Sequence, residues 1–93
     1  MPPSLLEIRR KKLLHRARYR GFKEADILVG GFAEDALPGM TEPDLDAFEA
    51  ILEAGDHEIY AWVSANASPP DAIDLNLVER MRAFDAAAKI RRG

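Results

Sequence analysis

Apolar residues recur along this chain with a helical period, in five blocks separated by glycine, proline and small polar residues. The clearest block is Ala25, Leu28, Val29, Phe32, Ala33 and Ala36, which follow the i, i+3, i+4, i+7, i+8, i+11 spacing of one buried helix face. Gly30 and Gly31 lie inside it. Each costs about 1 kcal/mol against alanine in a helix interior, so the pair reads either as a break or as a notch for close packing. Pro38-Gly39 ends the block.

Upstream, Ser4 predicts the cap of a first helix running to about Tyr19, with Leu5, Ile8, Leu13, Leu14 and Ala17 as a patchy apolar stripe. Gly21 is placed to end it in the left-handed conformation that glycine adopts without strain. Downstream, Thr41 starts a third helix, with Pro43 in the first turn and Asp44 three residues on. Leu45, Phe48, Ile51 and Leu52 form its core stripe and Gly55 stops it. Asp56 is the expected cap of a short fourth helix bearing Ile59, Trp62 and Val63, where acids near the N-terminus complement the helix dipole. After the loop Ser68-Pro69-Pro70, Asp71 is the expected cap of a fifth helix, with Asp74 at the capping-box position. Leu77, Val78, Met81, Phe84 and Ala88 carry its apolar face, and the tail 89–93 is expected to fray. No segment has a strand pattern. The prediction is an all-α fold, a compact five-helix bundle forming one domain over 1–93 with its core in about 5–88.

Size and charge narrow the function. A chain of 93 residues buries about 60–65% of its unfolded surface, enough for one modest core and no second domain. Without cysteine there is no disulfide, thiolate nucleophile or Cys-ligated metal. No apolar run approaches the roughly 18–20 residues that span a bilayer, so no membrane insertion is expected. The net charge of −3 conceals a segregation. Residues 1–23 carry eight Lys/Arg and one acid, 24–79 carry fourteen acids and no Lys or Arg, and 80–93 carry five Lys/Arg and one acid. Either the basic ends pack beside the acidic middle, or one-sign surfaces select a partner. The Arg-rich start resembles a targeting peptide in composition. It runs directly into Arg20-Gly21, however, so it is read as part of the fold, with a cytoplasmic location as the simpler expectation.

Candidate chemistry is sparse. Ser4, Ser64 and Ser68 lie in caps or loops with no nearby His in sequence. Asp56-His57-Glu58 offers acid–base groups, but three consecutive helical residues diverge and cannot meet at one substrate atom. His15, in a cationic helix, reads as a packing residue. No metal-ligand spacing, P-loop or GxGxxG occurs, and Gly30-Gly31 follows no predicted strand. No catalytic residue, metal site or conventional cofactor site is therefore expected. The basic first helix suits phosphates, but the acidic middle repels them and no recognition helix follows a tight turn, so no nucleic acid is expected.

Arg20-Gly21-Phe22-Lys23-Glu24 remains. Read alone, Gly21 is a helix terminator and Arg20 with Glu24 an i, i+4 pair worth a few tenths of a kcal/mol. The functional alternative is a helix joint that presents an arginine fork and a glutamate to another protein, the glycine allowing close backbone approach. Together with a downstream segment, these residues give the chain its resemblance. Arg20, Gly21 and Glu24 match the Arg-Gly-x-x-Glu motif of the succinate dehydrogenase assembly factors, with Asp26 where that family commonly has an acid. Ile51-Leu52-Glu53, Asp56, Ile59-Tyr60 and Trp62 then match its second segment, and Pro70-Asp71 precedes the last helix, as in the family. The resemblance covers about 5–88. The chain departs from the family in the second helix, where Val29-Gly30-Gly31-Phe32 stands in place of a proline and two aromatics, and at Gly55 in place of an acid.

The resemblance implies a small helical chaperone, not an enzyme. It would bind the flavoprotein subunit of succinate dehydrogenase, or of fumarate reductase, and promote covalent attachment of FAD that the partner holds. The partner-binding residues it implies are Arg20, Gly21 and Glu24, with Arg18, Asp26 and Phe32 beside them. The alternatives are a generic helical interaction module with another partner, or a small nucleic-acid-binding protein using the basic first helix.

Overall fold

Helices α1 (Leu5–Arg18), α2 (Lys23–Ala36), α3 (Glu42–Leu52), α4 (Asp56–Ser64) and α5 (Leu75–Arg92) follow one another along the chain, with a single 3-10 turn, Leu37–Gly39, between α2 and α3. The structure is a computed structural model and describes residues 4–92. No strand occurs among the described residues, and the class is the all-α bundle that the periodicity predicts. Fraying of the tail was expected over 89–93. The helix is described through Arg92, and Gly93 lies outside the described residues.

Helix α2 is the central element, packed against α1, α4 and α5. Its predicted stripe is buried, with only Ala36 partly so. Gly30 and Gly31 do not break it. A methyl on Gly30 would sit 3.4 Å from Arg18 Cα and 3.5 Å from the Ala17 carbonyl oxygen. Anything larger than alanine there would push α1 away, so Gly30 sets the α1–α2 distance. Gly31 faces Phe84 of α5 in the same manner. Leu45, Phe48 and Ile51 of α3, Ile59, Trp62 and Val63 of α4, and Leu77, Val78 and Met81 of α5 complete the core. Met40, a loop residue outside every stripe, is also buried, and its carbonyl accepts a hydrogen bond from Arg10 Nη2 at 2.8 Å.

Several local expectations change. In α1, Leu5 is exposed and Ile8 half-exposed, while Leu6 and Leu14 flank the buried Leu13 and Ala17. His15 is exposed and leans on Tyr19, with ring centroids 4.8 Å apart, so it is not a core residue. Among the described residues no glycine has positive φ, so Gly21 is not a left-handed helix terminator. Helix α3 ends at Leu52. The cap of α4 is Gly55, and Asp56 is its first helical residue, with the side chain turned elsewhere.

Helix α5 begins at Leu75, later than the sequence suggested. The 70–73 segment forms a turn closed by Ile73 N–H to the Pro70 carbonyl, and Asp74, not Asp71, accepts from Leu77 N–H at 3.1 Å. Asp74→Ala should therefore destabilise the protein by about 1 kcal/mol, the usual loss of an N-cap. Asp71→Ala should leave the melting temperature unchanged. Equal effects of the two substitutions would show the cap to be misplaced. At the predicted caps Ser4 accepts from Glu7 N–H, and Thr41 with Asp44 forms a reciprocal capping box.

Much of the charge segregation resolves into contacts within the chain. Arg9 pairs with Asp46 at 2.6 Å and Glu49 at 3.1 Å, Arg16 with Glu49, Arg18 with Glu34, and Arg80 with Asp44. The hydrogen bond to Asp46 raises the Arg9 pKa above its ordinary value; desolvation opposes it, and the hydrogen bond to Glu49 adds to the rise. Arg82 donates to the Trp62 and Ala67 carbonyls. These pairs are mostly exposed, so each adds little stability.

Candidate functional site

The α1–α2 joint meets the α3–α4 joint, so the two sequence segments singled out above are in direct contact. Arg20 is the connector. Its Nε donates to Asp56 Oδ1 at 2.6 Å, its Nη2 donates to the carbonyls of Leu52 and Ala54, each at 3.1 Å, and its Nη1 reaches back to the Arg16 carbonyl at 3.4 Å. Carbonyls at a helix C-terminus have no intrahelical partner. Arg20 therefore caps the end of α3 and brings a positive charge to the negative end of its dipole. Asp56 brings a negative charge to the N-terminus of α4 by the same logic. Its other oxygen accepts the Gly21 N–H. A methyl on Gly21 would lie 2.6 Å from that oxygen. A side chain at this position would have to displace the Asp56 carboxylate from its bond to Gly21 N–H, so glycine is favoured for space and not for its φ.

Two further contacts close the joint. Asp26, one turn into α2, accepts from the Arg20 backbone N–H. Phe22 stacks on His57 with centroids 4.7 Å apart and meets Tyr60 edge-on at 5.5 Å. These ring contacts tie the start of α2 to α4, while Phe22 makes no side-chain cap hydrogen bond there.

Of the six partner-binding candidates, five gather here. The Arg20 side chain is only 10% exposed and turned into the fold. Gly21 and Glu24 are exposed, and Asp26 is half-buried. Arg18 is exposed on the last turn of α1, paired with Glu34. Phe32 stands apart. It is 3% exposed and sits between Phe48 and Phe84 in the core, so a partner cannot touch it directly. Sequence reasoning missed Asp56 as the receiver of Arg20, assigning it to a helix cap. The available signal was the Arg20-Gly21 segment occurring together with the Ala54-Gly55-Asp56 segment in one chain.

Residues 11–85 match a family model described as flavinator of succinate dehydrogenase. The chain belongs to this family. It is 38% identical over 88 residues to the FAD assembly factor SdhE of Acetobacter pasteurianus, across 95% of this chain and 78% of that protein. It is 31% identical over 88 residues to the mitochondrial succinate dehydrogenase assembly factor 2 of Caenorhabditis briggsae, across 90% of this chain and 71% of that one. With the same-named Candida glabrata protein it shares 39% identity over 61 residues, 66% of this chain. The chain spans only 40% of that yeast relative's length.

The assembly-factor fold can be tested for a flavin site of its own. Gly30-Gly31, the one glycine pair, lies inside α2 and faces α1 and Phe84. Its backbone is committed to the helix and cannot cradle a phosphate. Asp56, His57 and Glu58 diverge as helical geometry requires: Asp56 is bound to Arg20 and Gly21, and His57 lies against Phe22. Among the described residues no three His, Cys, Asp or Glu side chains converge as metal ligands would. Among the described residues no helix is long and apolar enough to cross a membrane. The site is a joint of two helix pairs held by the Arg20 and Asp56 hydrogen bonds, with Gly21 and Glu24 exposed on it.

Proposed function

We propose that this chain is an assembly chaperone that binds the flavoprotein subunit of succinate dehydrogenase, or that of fumarate reductase, and promotes the covalent attachment of its FAD. Family membership supports the reading. The observation that carries it is the exposure of Gly21 and Glu24 on a joint that Arg20 and Asp56 hold fixed. A surface ordered before binding loses little conformational entropy when a partner docks. Within the motif the roles divide. Arg20 shapes the joint, Gly21 leaves room for both Asp56 and a partner backbone, and Glu24 projects a carboxylate for the partner.

The chain donates no reacting group in this scheme. The flavoprotein supplies the flavin and the histidine that bonds to it. The chaperone favours the partner conformation in which the two are aligned, and alignment alone lowers a barrier substantially. It acts only to the extent that it binds that conformation more tightly than others.

Retention of purified flavoprotein subunit on the immobilised chain, read with in-gel flavin fluorescence, tests the proposal. Wild type should retain the subunit and raise its covalent flavin. Glu24→Ala should abolish retention with an unchanged melting temperature, because Glu24 is exposed. Gly21→Arg should lose both retention and stability, since any side chain displaces Asp56. Normal retention by Glu24→Ala would remove the motif from the interface.

A further inference from the structure

Between α2 and α5 runs a groove of about 290 Å³, with Ile27, Gly31, Phe84 and Ala87 among its walls. Its depth has a local cause. Gly31 has no side chain, and a methyl there would already press to 3.3 Å on the Phe84 ring. Ile27 is 44% exposed at its edge. One residue in this apolar setting is out of place. Asp85 lines the groove at 6% exposure, the one buried charged residue in the core of the described chain. A carboxylate held so far from water is costly unless compensated. Among the described residues its compensating cation is Lys89, whose Nζ lies 2.9 Å away on a side chain 55% exposed that also reaches Ser64 Oγ.

The groove does not end at Asp85. A neighbouring hollow of about 240 Å³ shares Ile27 and Asp85 and continues to Tyr60, Lys89 and Glu24. Glu24 has no ion-pair partner among the described residues. The hollow thus holds two carboxylates against one lysine, beside an apolar floor, and opens at the exposed glutamate of the motif.

We infer that this groove seats a basic, amphipathic segment of the flavoprotein partner. An apolar side chain of that segment enters the slot over Gly31, and an adjoining Lys or Arg lies between Asp85 and Glu24. Charge complementarity chooses this occupant over an acidic one. Lys89, more than half exposed, swings aside or pairs with Glu24 as the incoming cation takes its place on Asp85. The inference rests on the flavoprotein-binding reading and extends its contact surface from Glu24 along α2 and α5.

The test compares two substitutions of similar bulk and opposite charge at one exposed groove residue. Ala87→Arg and Ala87→Glu both keep strong helix formers on α5, and circular dichroism confirms that each folds. Dissociation constants for purified flavoprotein subunit are then measured by calorimetry at low salt. The expected result is Kd for Ala87→Arg roughly tenfold or more above that for Ala87→Glu. Ile27→Lys against Ile27→Glu repeats the comparison should either Ala87 variant unfold. A ratio near one, with Glu24→Ala still abolishing binding, overturns the groove and leaves the chaperone reading standing. A reversed ratio overturns it too, by making the occupant acidic. Failure of the wild-type chain to bind the subunit overturns the function and this inference together.

Discussion

Arg20→Ala should lower the melting temperature by about 15 °C, corresponding to a loss of about 3 kcal/mol. The substitution removes the guanidinium that joins four acceptors: Asp56 and the carbonyls of Leu52, Ala54 and Arg16. What remains is a carboxylate at 22% exposure without its cation, and an α3 C-terminus without its cap. Uncompensated groups of this kind dominate the cost, more than the lost attraction does. Asp56→Asn should cost less, because its amide oxygen still accepts one hydrogen bond. Thermal unfolding followed by circular dichroism gives both numbers. In a double-mutant cycle the Arg20 and Asp56 substitutions should be non-additive by about 0.5–3 kcal/mol. A melting temperature within a few degrees of wild type for Arg20→Ala would mean that the arginine faces solvent, not the fold.

The variant should also lose flavoprotein retention, and for a different reason from Glu24→Ala. One dismantles the joint that presents the surface. The other removes a contact from an intact joint. Stability measured beside retention separates them.

Trp62→Ala should cost about 3–5 kcal/mol, the range for deleting a large aromatic from a packed core. Trp62 is 6% exposed on α4, and its carbonyl accepts from Arg82 Nε at 2.8 Å, where α4 meets α5. Small domains have only about 5–15 kcal/mol to lose, so the variant should be largely unfolded at modest urea. The midpoint of urea unfolding should fall with an unchanged slope, the signature of lost stability without a changed unfolded state. A shift equivalent to less than about 1 kcal/mol would place the indole on the surface.

These two residues also mark how far the sequence could be read. Trp62 was legible because its period-3.6 neighbours Ile59 and Val63 announce a buried stripe. Arg20 was legible as special but not as internal. Its chain position and composition are the same whether the guanidinium turns outward to a partner or inward to α3. Phe32 shows the converse: a motif comparison placed it among contact residues, while its own periodicity had already put it in the core.

The sequence by itself determined the five helices, most of the core and two of the caps, because helix periodicity and capping depend on residues only three or four apart. It also determined the family, through two motifs in fixed order. It misplaced the start of α5 by choosing Asp71 as the cap, since Asp71 and Asp74 are both competent caps and only the turn at 70–73 selects the second. Tertiary structure alone decided that Gly30 and Gly31 are packing notches, that Asp56 fills the space beside Gly21, and that Asp85 lies buried in a groove opening at Glu24. Each depends on which helices approach and how closely, and that distance is set by all the side chains of the bundle packing at once.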